Sequence, residues 1–295
     1  MKFGIEGIGM EGNFSKILAL VDYSTVSLHA AEEAAMIASK FGSELHLLHI
    51  SAKFDRSYLF VPEAYFFDAE ENDGQEYDKK IGKLQKLKIA LHKHYDVSAV
   101  CFEERGSFVK VVKRHVEDFR INLVVLGSRK RRWLSELIFQ DKTRSIIKVL
   151  DCEVLCVNPE SDSKELKKIV LPVGKFIPEK RIRLAYELAK KFTARIYLIA
   201  LNNQDGNLSN ESAKTLIASY QYLKDVTNIP IECNTVQGRS LAEASMYYAK
   251  VVGADLILIN EGVESDLRKR ILSKWRGNIV NHSSVPVLSV HAMKE

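Results

Sequence analysis

The chain repeats itself, and the repeat limits the fold more than any other feature. Lys16-Ile17-Leu18-Ala19-Leu20-Val21-Asp22 is a short continuous apolar run, and Lys168-Ile169-Val170-Leu171-Pro172-Val173 reproduces it 168 − 16 = 152 positions later. Cys101 and Gly106 return as Cys233 and Gly238, 132 positions on, while Leu123 to Leu126 and Val154-Leu155 return as Leu256 to Ile259 and Val287-Leu288 at 133. Self-similarity on this scale calls for one structural unit built twice. The drop from 152 to 132 places a length difference after the second strand, where Ser51 to Asp78 does the work of Asn202 to Asn210.

Within a copy, the hydrophobic period alternates between two kinds of element. Lys16 to Asp22 is apolar throughout, which predicts a strand buried on both faces of a parallel sheet. Leu28, Ala31, Ala35 and Ala38 then fall at helical spacing and stop at Phe41-Gly42, the glycine supplying a helix end. Leu45 to Ile50 reads as a strand, Lys79 to His94 as a helix, Val97 to Phe102 as a strand and Phe108 to Val116 as a helix, with Phe108, Val111, Val112 and His115 on one side. Leu123 to Leu126 is a strand ending at Gly127, a helix runs through about Ser145 to Leu150, and Val154 to Val157 is the last strand. The second copy begins with its strand, a helix faced by Leu184, Ala185, Leu188 and Ala189, and a strand from Ile196 to Leu201.

Strand-helix alternation predicts an α/β fold of two tandem, doubly wound, parallel five-stranded sheets flanked by helices, Rossmann-like in type, rather than one barrel. The domains are expected at residues 1–160, carrying the 51–78 insertion, and 165–295, with the polar segment Glu160 to Lys164 between them. Ligands of such sheets sit at the carboxyl ends of the strands. Asp22 and Gly127 therefore face one crevice in this reading.

Composition removes several classes. With 46% hydrophobic and 27% charged residues, the chain can bury a core and is neither collagen-like nor disordered. A net charge of +5 is too small to predict a nucleic-acid binder, and Trp133 stands without companions as a stacking platform. No run reaches the ~18 apolar residues of a membrane helix, and the first fourteen residues lack an apolar signal stretch, so a cytoplasmic protein is expected. Four cysteines are too few for a disulfide scaffold, and Cys152 and Cys156 in their apolar run are read as buried thiols.

Catalytic signatures are sparse. Gly7-Ile8-Gly9-Met10-Glu11-Gly12 matches GxGxxG literally but precedes the strand it should follow, so it reads as a leader. There is no GxxxxGK[ST], HExxH or GxSxG. His46 and His49, three apart on one strand, point to opposite faces and cannot share a metal, so both are read as structural. His92 and His94 sit near a helix end, where a cation is favourable. Phe54, Tyr58, Phe60, Tyr65, Phe66, Phe67 and Tyr77 load the insertion with aromatics, which suits a lid, a contact surface or a folded-back satellite core.

The informative segment is Leu123 to Val157: strand, Gly127-Ser128-Arg129-Lys130, nine residues from Arg131 to Phe139, Gln140-Asp141, helix, strand. Together with Val21-Asp22-Tyr23-Ser24, it resembles the universal stress protein family over both halves. In the family's nucleotide-binding members that loop reads G-x-x-G, nine residues, G-[ST], and bare backbone closes on phosphate oxygens beside a helix N-terminus. The resemblance implies that Asp22 bonds the adenine or ribose side of a ligand and that Gly127 is the first loop glycine. Leu126, Ser128 and Arg129 flank that position and complete the candidate site. Lys130 and Gln140 stand where the other glycines belong, and Asp141 replaces the hydroxyl residue, adding negative charge where phosphates would bind. The basic run Arg129 to Arg132 is either a solvated face or an anion contact. In the second half, Gly174 replaces the aspartate, and Asn260, Val263, Ser273 and Lys274 replace the loop residues, so no nucleotide is expected there.

The implied function is a non-catalytic stress-response or signalling module with no assured cofactor and at most ATP or AMP in the first half. An ATP- or AMP-binding regulatory protein or a slow ATPase is the alternative. A protein-binding adaptor acting through the aromatic insertion is a third. Val285-Pro286-Val287 resembles the family's last strand, which pairs subunits, so a homodimer or an internal pairing of the halves is expected, with no nucleic acid or membrane as partner.

Overall fold

The computed structural model describes residues 14–51, 82–128, 145–158, 165–174, 176–202, 210–238, 240–261 and 283–291. In chain order the first half runs β1 (Lys16–Leu20), α1 (Thr25–Phe41), β2 (Glu44–Ser51), α2 (Lys83–Tyr95), β3 (Ala99–Arg105), α3 (Phe108–Phe119), β4 (Leu123–Gly127), α4 (145–149) and β5 (Glu153–Val157). The second runs β6 (Lys168–Val173), α5 (Glu179–Phe192), β7 (Arg195–Leu201), α6 (Asn210–Val226), β8 (Ile231–Val236), α7 (Leu241–Val252), β9 (Leu256–Glu261) and β10 (Val287–His291). The α/β, Rossmann-like architecture expected from the alternation is therefore present. The third strand lies later than its apolar residues indicated, because β3 is an edge strand whose second part alternates charged and half-buried residues. Leader and insertion, including the GxGxxG run and the aromatic cluster, lie outside the described residues.

The strands form one ten-stranded sheet in the order β3-β2-β1-β4-β5-β10-β9-β6-β7-β8. Each set of five is parallel within itself. The sets meet where β10 runs antiparallel to β5, with Val287 opposite Cys156, Leu288 opposite Leu155 and Ser289 opposite Val154. Each strand thereby satisfies the other's open hydrogen-bonding edge.

Side-chain alternation sorts the strands' residues into two layers. Ile17, Ala19, Leu123, Val125 and Leu155 join Ile169, Leu171, Leu256 and Leu288 in one core under α1, α2, α5 and α6, continuous across the seam. On the opposite face, Leu18, Leu20, Val124, Leu126 and Val154 pack with α3 and α4, while Val170, Ile199 and Ile257 pack separately with α7. Polar ties reinforce the seam. Glu153 accepts from the His291 backbone N–H at 2.7 Å and from Lys180 Nζ at 2.8 Å, and Asn158 Nδ2 donates to the Val285 carbonyl at 3.3 Å.

In the first half β1 leads out to β2 and β3, and the chain then returns to lay β4 on the other side of β1. This is a topological switch point, and the carboxyl ends of β1 and β4 border its crevice. The same order recurs at β6 and β9.

Because Leu288 is buried in the layer shared by both halves, Leu288→Ala should cost ~2–5 kcal/mol. Urea unfolding monitored by circular dichroism checks this, with a loss below ~1 kcal/mol counting against a tightly packed seam.

Candidate functional site

After β1 the chain turns sharply into α1, and local polar groups hold the turn. Tyr23 adopts a left-handed backbone, φ 62°, which an ordinary side chain tolerates only when its surroundings enforce it. Asp22 Oδ1 accepts from the Ser24 backbone N–H at 2.9 Å and from the Ser24 hydroxyl. Ser24 is the N-cap of α1, accepting from the Ser27 N–H at 3.3 Å, and Ser27 Oγ in turn accepts from the Asp22 N–H at 3.2 Å. One Asp22 oxygen thus closes the turn that starts α1.

Beside the turn, His49 at the end of β2 donates from Nδ1 to the Val21 carbonyl at 2.8 Å, which fixes its tautomer. The buried Tyr23 ring lies 4.6 Å from the His49 ring, and Lys83 Nζ sits 5.8 Å from the Tyr23 centroid. Sequence reasoning did not single out His49 and Lys83 for this crevice. They come from β2 and α2, and only pairing of β1 with β2 brings them near.

Gly127 closes the other side. A Cβ built there would lie 2.7 Å from Val26 Cγ1 and 2.9 Å from the Val26 carbonyl carbon and oxygen. The first turn of α1 therefore presses on β4 at a point where only glycine fits. Ser128 is buried, and its N–H donates to the Val157 carbonyl at 2.7 Å. With Ala19 opposite Val125, the parallel register carries Asp22 to the level of Gly127 and Ser128, so these three border one crevice. The Leu126 side chain is buried in the layer formed with α3 and α4. Arg129, Lys130, Gln140 and Asp141 lie outside the described residues, as do Val263, Ser273 and Lys274 of the second half.

The second switch point is built differently. Pro178 holds the N-cap position of α5 with no side-chain cap bond, and the buried Arg181 reaches the Leu258 carbonyl of β9 at 3.5 Å. Among the described residues no group of three or more His, Cys, Asp or Glu is placed to hold a metal ion. Burial pushes the Cys152 and Cys156 thiols up to about 12, which keeps them protonated and unreactive. No helix among the described residues is long and apolar enough to cross a membrane.

Gly127→Ala is expected to cost ~1–3 kcal/mol through the forced shift of Val26, and Ser24→Ala ~1 kcal/mol through the lost cap. Denaturation midpoints of the two variants measure both; an unchanged midpoint for Gly127→Ala would show that the contact with Val26 is slack.

Residues 13–158 match the sequence profile of the Universal stress protein family. Universal stress protein YxiE of Bacillus subtilis strain 168 is 28% identical over 150 residues, covering 49% of this chain and 99% of the relative. Universal stress protein A homolog of Haemophilus ducreyi is 26% identical over 144 residues, covering 49% of this chain and 96% of the relative. A universal stress protein from Archaeoglobus fulgidus DSM 4304 superimposes with TM-score 0.66 at 12% identity, covering 94% of this chain and 98% of that one. A putative universal stress protein from Pseudomonas aeruginosa UCBPP-PA14 follows with TM-score 0.59 at 14% identity, covering 94% and 93%. At such identities the superpositions speak for the fold across both halves, while the sequence profile identifies the first: residues 13–158 of this chain are a universal stress protein family domain.

Proposed function

We propose that the chain is a tandem universal stress protein, a non-catalytic stress-response module whose ligand capacity is confined to the crevice between β1 and β4. The observation that carries this reading is the contact of Gly127 with Val26. The glycine is required by packing, so its presence is accounted for without a phosphate. Asp22 likewise has a structural duty in the α1 turn. Lys130, Gln140 and Asp141 give the loop side chains and a negative charge in place of a bare cradle. At most a nucleoside monophosphate engages Asp22, and a triphosphate does not seat. The second half, with Gly174 and a buried Arg181 at its switch point, takes no nucleotide.

The antiparallel β5–β10 pairing favours an internal pairing of two domains, at 1–160 and 165–295, over a homodimer built on the last strand. Four free cysteines suit a reducing cytoplasm. A slow ATPase needs a poised base beside a phosphate cradle. The sequence of the loop, with Lys130, Gln140 and Asp141 in place of glycines and a hydroxyl residue, argues against such a cradle.

Isothermal calorimetry with AMP, ATP and magnesium-ATP, with Asp22→Ala as control, tests the reading. Expected is either no heat with any nucleotide or AMP binding that Asp22→Ala weakens by ~10-fold or more. ATP binding tighter than ~10 μM that depends on magnesium would overturn the degenerate loop.

A further inference from the structure

Beneath the outer strands of the first half lies a buried pair of histidines with no part in the crevice. His46 on β2 and His115 on α3 are almost wholly enclosed, and His46 Nδ1 lies 3.0 Å from His115 Nε2. Carboxylates bracket them. His46 Nε2 is 2.6 Å from Glu44 Oε1, and His115 Nδ1 is 3.5 Å from Glu104 Oε1. Phe102 and Phe119 pack against both rings, which keeps water away. The charged groups that face this row are Lys16 on β1, 3.5 Å from Glu44, Arg114 on α3, paired with Glu104, and Asp118, whose field reaches His115.

Counting protons decides what the row does. Two neutral imidazoles carry two N–H groups, while Glu44···His46···His115···Glu104 contains three contacts. With two protons, His46 donates to Glu44 and His115 donates to His46. His115 Nδ1 then turns a lone pair toward the Glu104 carboxylate, two acceptors face to face. With three protons every contact has a donor and the single positive charge lies between two carboxylates. With four protons both nitrogens of the 3.0 Å contact carry hydrogens, and the bond between β2 and α3 becomes a repulsion.

We propose that the His46–His115 pair is a pH-responsive clasp between β2, β3 and α3, closed when it shares one extra proton and opened by a second. The protons belong to the pair as a unit. Burial, and next the charge of His46, holds His115 below the usual imidazole range, while Glu104 pulls the other way. His46's hydrogen bond holds Glu44 below the usual carboxylate range, against a partial burial that raises it. The folded protein therefore accepts the last proton less readily than the unfolded chain does. The contribution lost with that last proton is present above ~6.5 and disappears as the pH falls through the lowered value. Val111, Val112 and Val116 of α3 share their layer with Leu126, so an opened clasp loosens the packing behind the end of β4 and reaches the crevice from below.

The test uses the full chain. Imidazole nitrogen shifts are followed by NMR from pH 8 to 4.5, together with amide exchange of Val111, Val112 and Val116 corrected for intrinsic rates. Expected are two coupled steps shared by both rings, the last below ~6.5, and α3 protection falling by up to about tenfold per pH unit between ~6.5 and that step. His115→Gln keeps an N–H donor for His46 but cannot be protonated, so it should abolish the acid loss of α3 protection. Independent single-step titration of the two rings overturns the proposal, as does an acid loss of protection that is the same in His115→Gln. Should that variant not fold, the wild-type nitrogen shifts alone decide between coupled and independent titration.

Discussion

Edge pairing between β5 and β10 is the contact on which the rest of the molecule depends. Parallel sheets need helices on both faces, and each five-stranded set here has an apolar strand at one edge, Val154 to Val157 in one and Val287 to Val290 in the other. Running antiparallel, the two strands exchange backbone hydrogen bonds and allow Leu155 and Leu288 to enter one layer under α1 and α5. Glu153 then receives Lys180 from α5 and the His291 backbone from β10, so the buried carboxylate has donors from the other half. A lone half would leave that carboxylate and that edge to solvent.

Once the sheet is built, the same close packing shapes the crevice. The first turn of α1 meets β4 at Gly127, and the Asp22–Ser24 turn starts the helix at the height that this contact requires. Groups that look in sequence like ligand contacts are thereby given mechanical duties. The α1–β4 packing thus gives Gly127 and Asp22 structural roles that stand independently of any ligand. The second half is built otherwise, with Gly174 after β6, Pro178 as an N-cap without a side-chain bond, and the buried Arg181 reaching the Leu258 carbonyl.

The face opposite α1 carries a different chemistry. Parallel strands exclude water from both sides, and into that dry layer the first half places two imidazoles within bonding distance of each other. Polar groups so deep need all their hydrogen bonds. The number of protons they hold thus becomes part of the packing between α3 and the sheet. The second half has an uncharged counterpart in that layer, where Tyr248 accepts a 2.8 Å hydrogen bond from Asn234 Nδ2.

The sequence by itself determined the alternation of strand and helix, the repeat, the resemblance to universal stress proteins and the location of Asp22 and Gly127 at strand ends. These follow from local period and spacing, which a linear chain displays directly. Leu126 faces α3 because strand alternation turns each neighbour of an inward residue the other way, and which face met α3 was not legible from the run Leu123 to Leu126. His46 and His49 were rightly separated onto opposite faces, yet the partner of His46 was invisible, since His115 lies 69 residues away on α3. Only the tertiary structure decided that β5 would meet β10, that Val26 would occupy the space above Gly127, and that two histidines would share one dry layer. Each is a contact between elements far apart in the chain, set by how whole surfaces pack, and no local pattern encodes it.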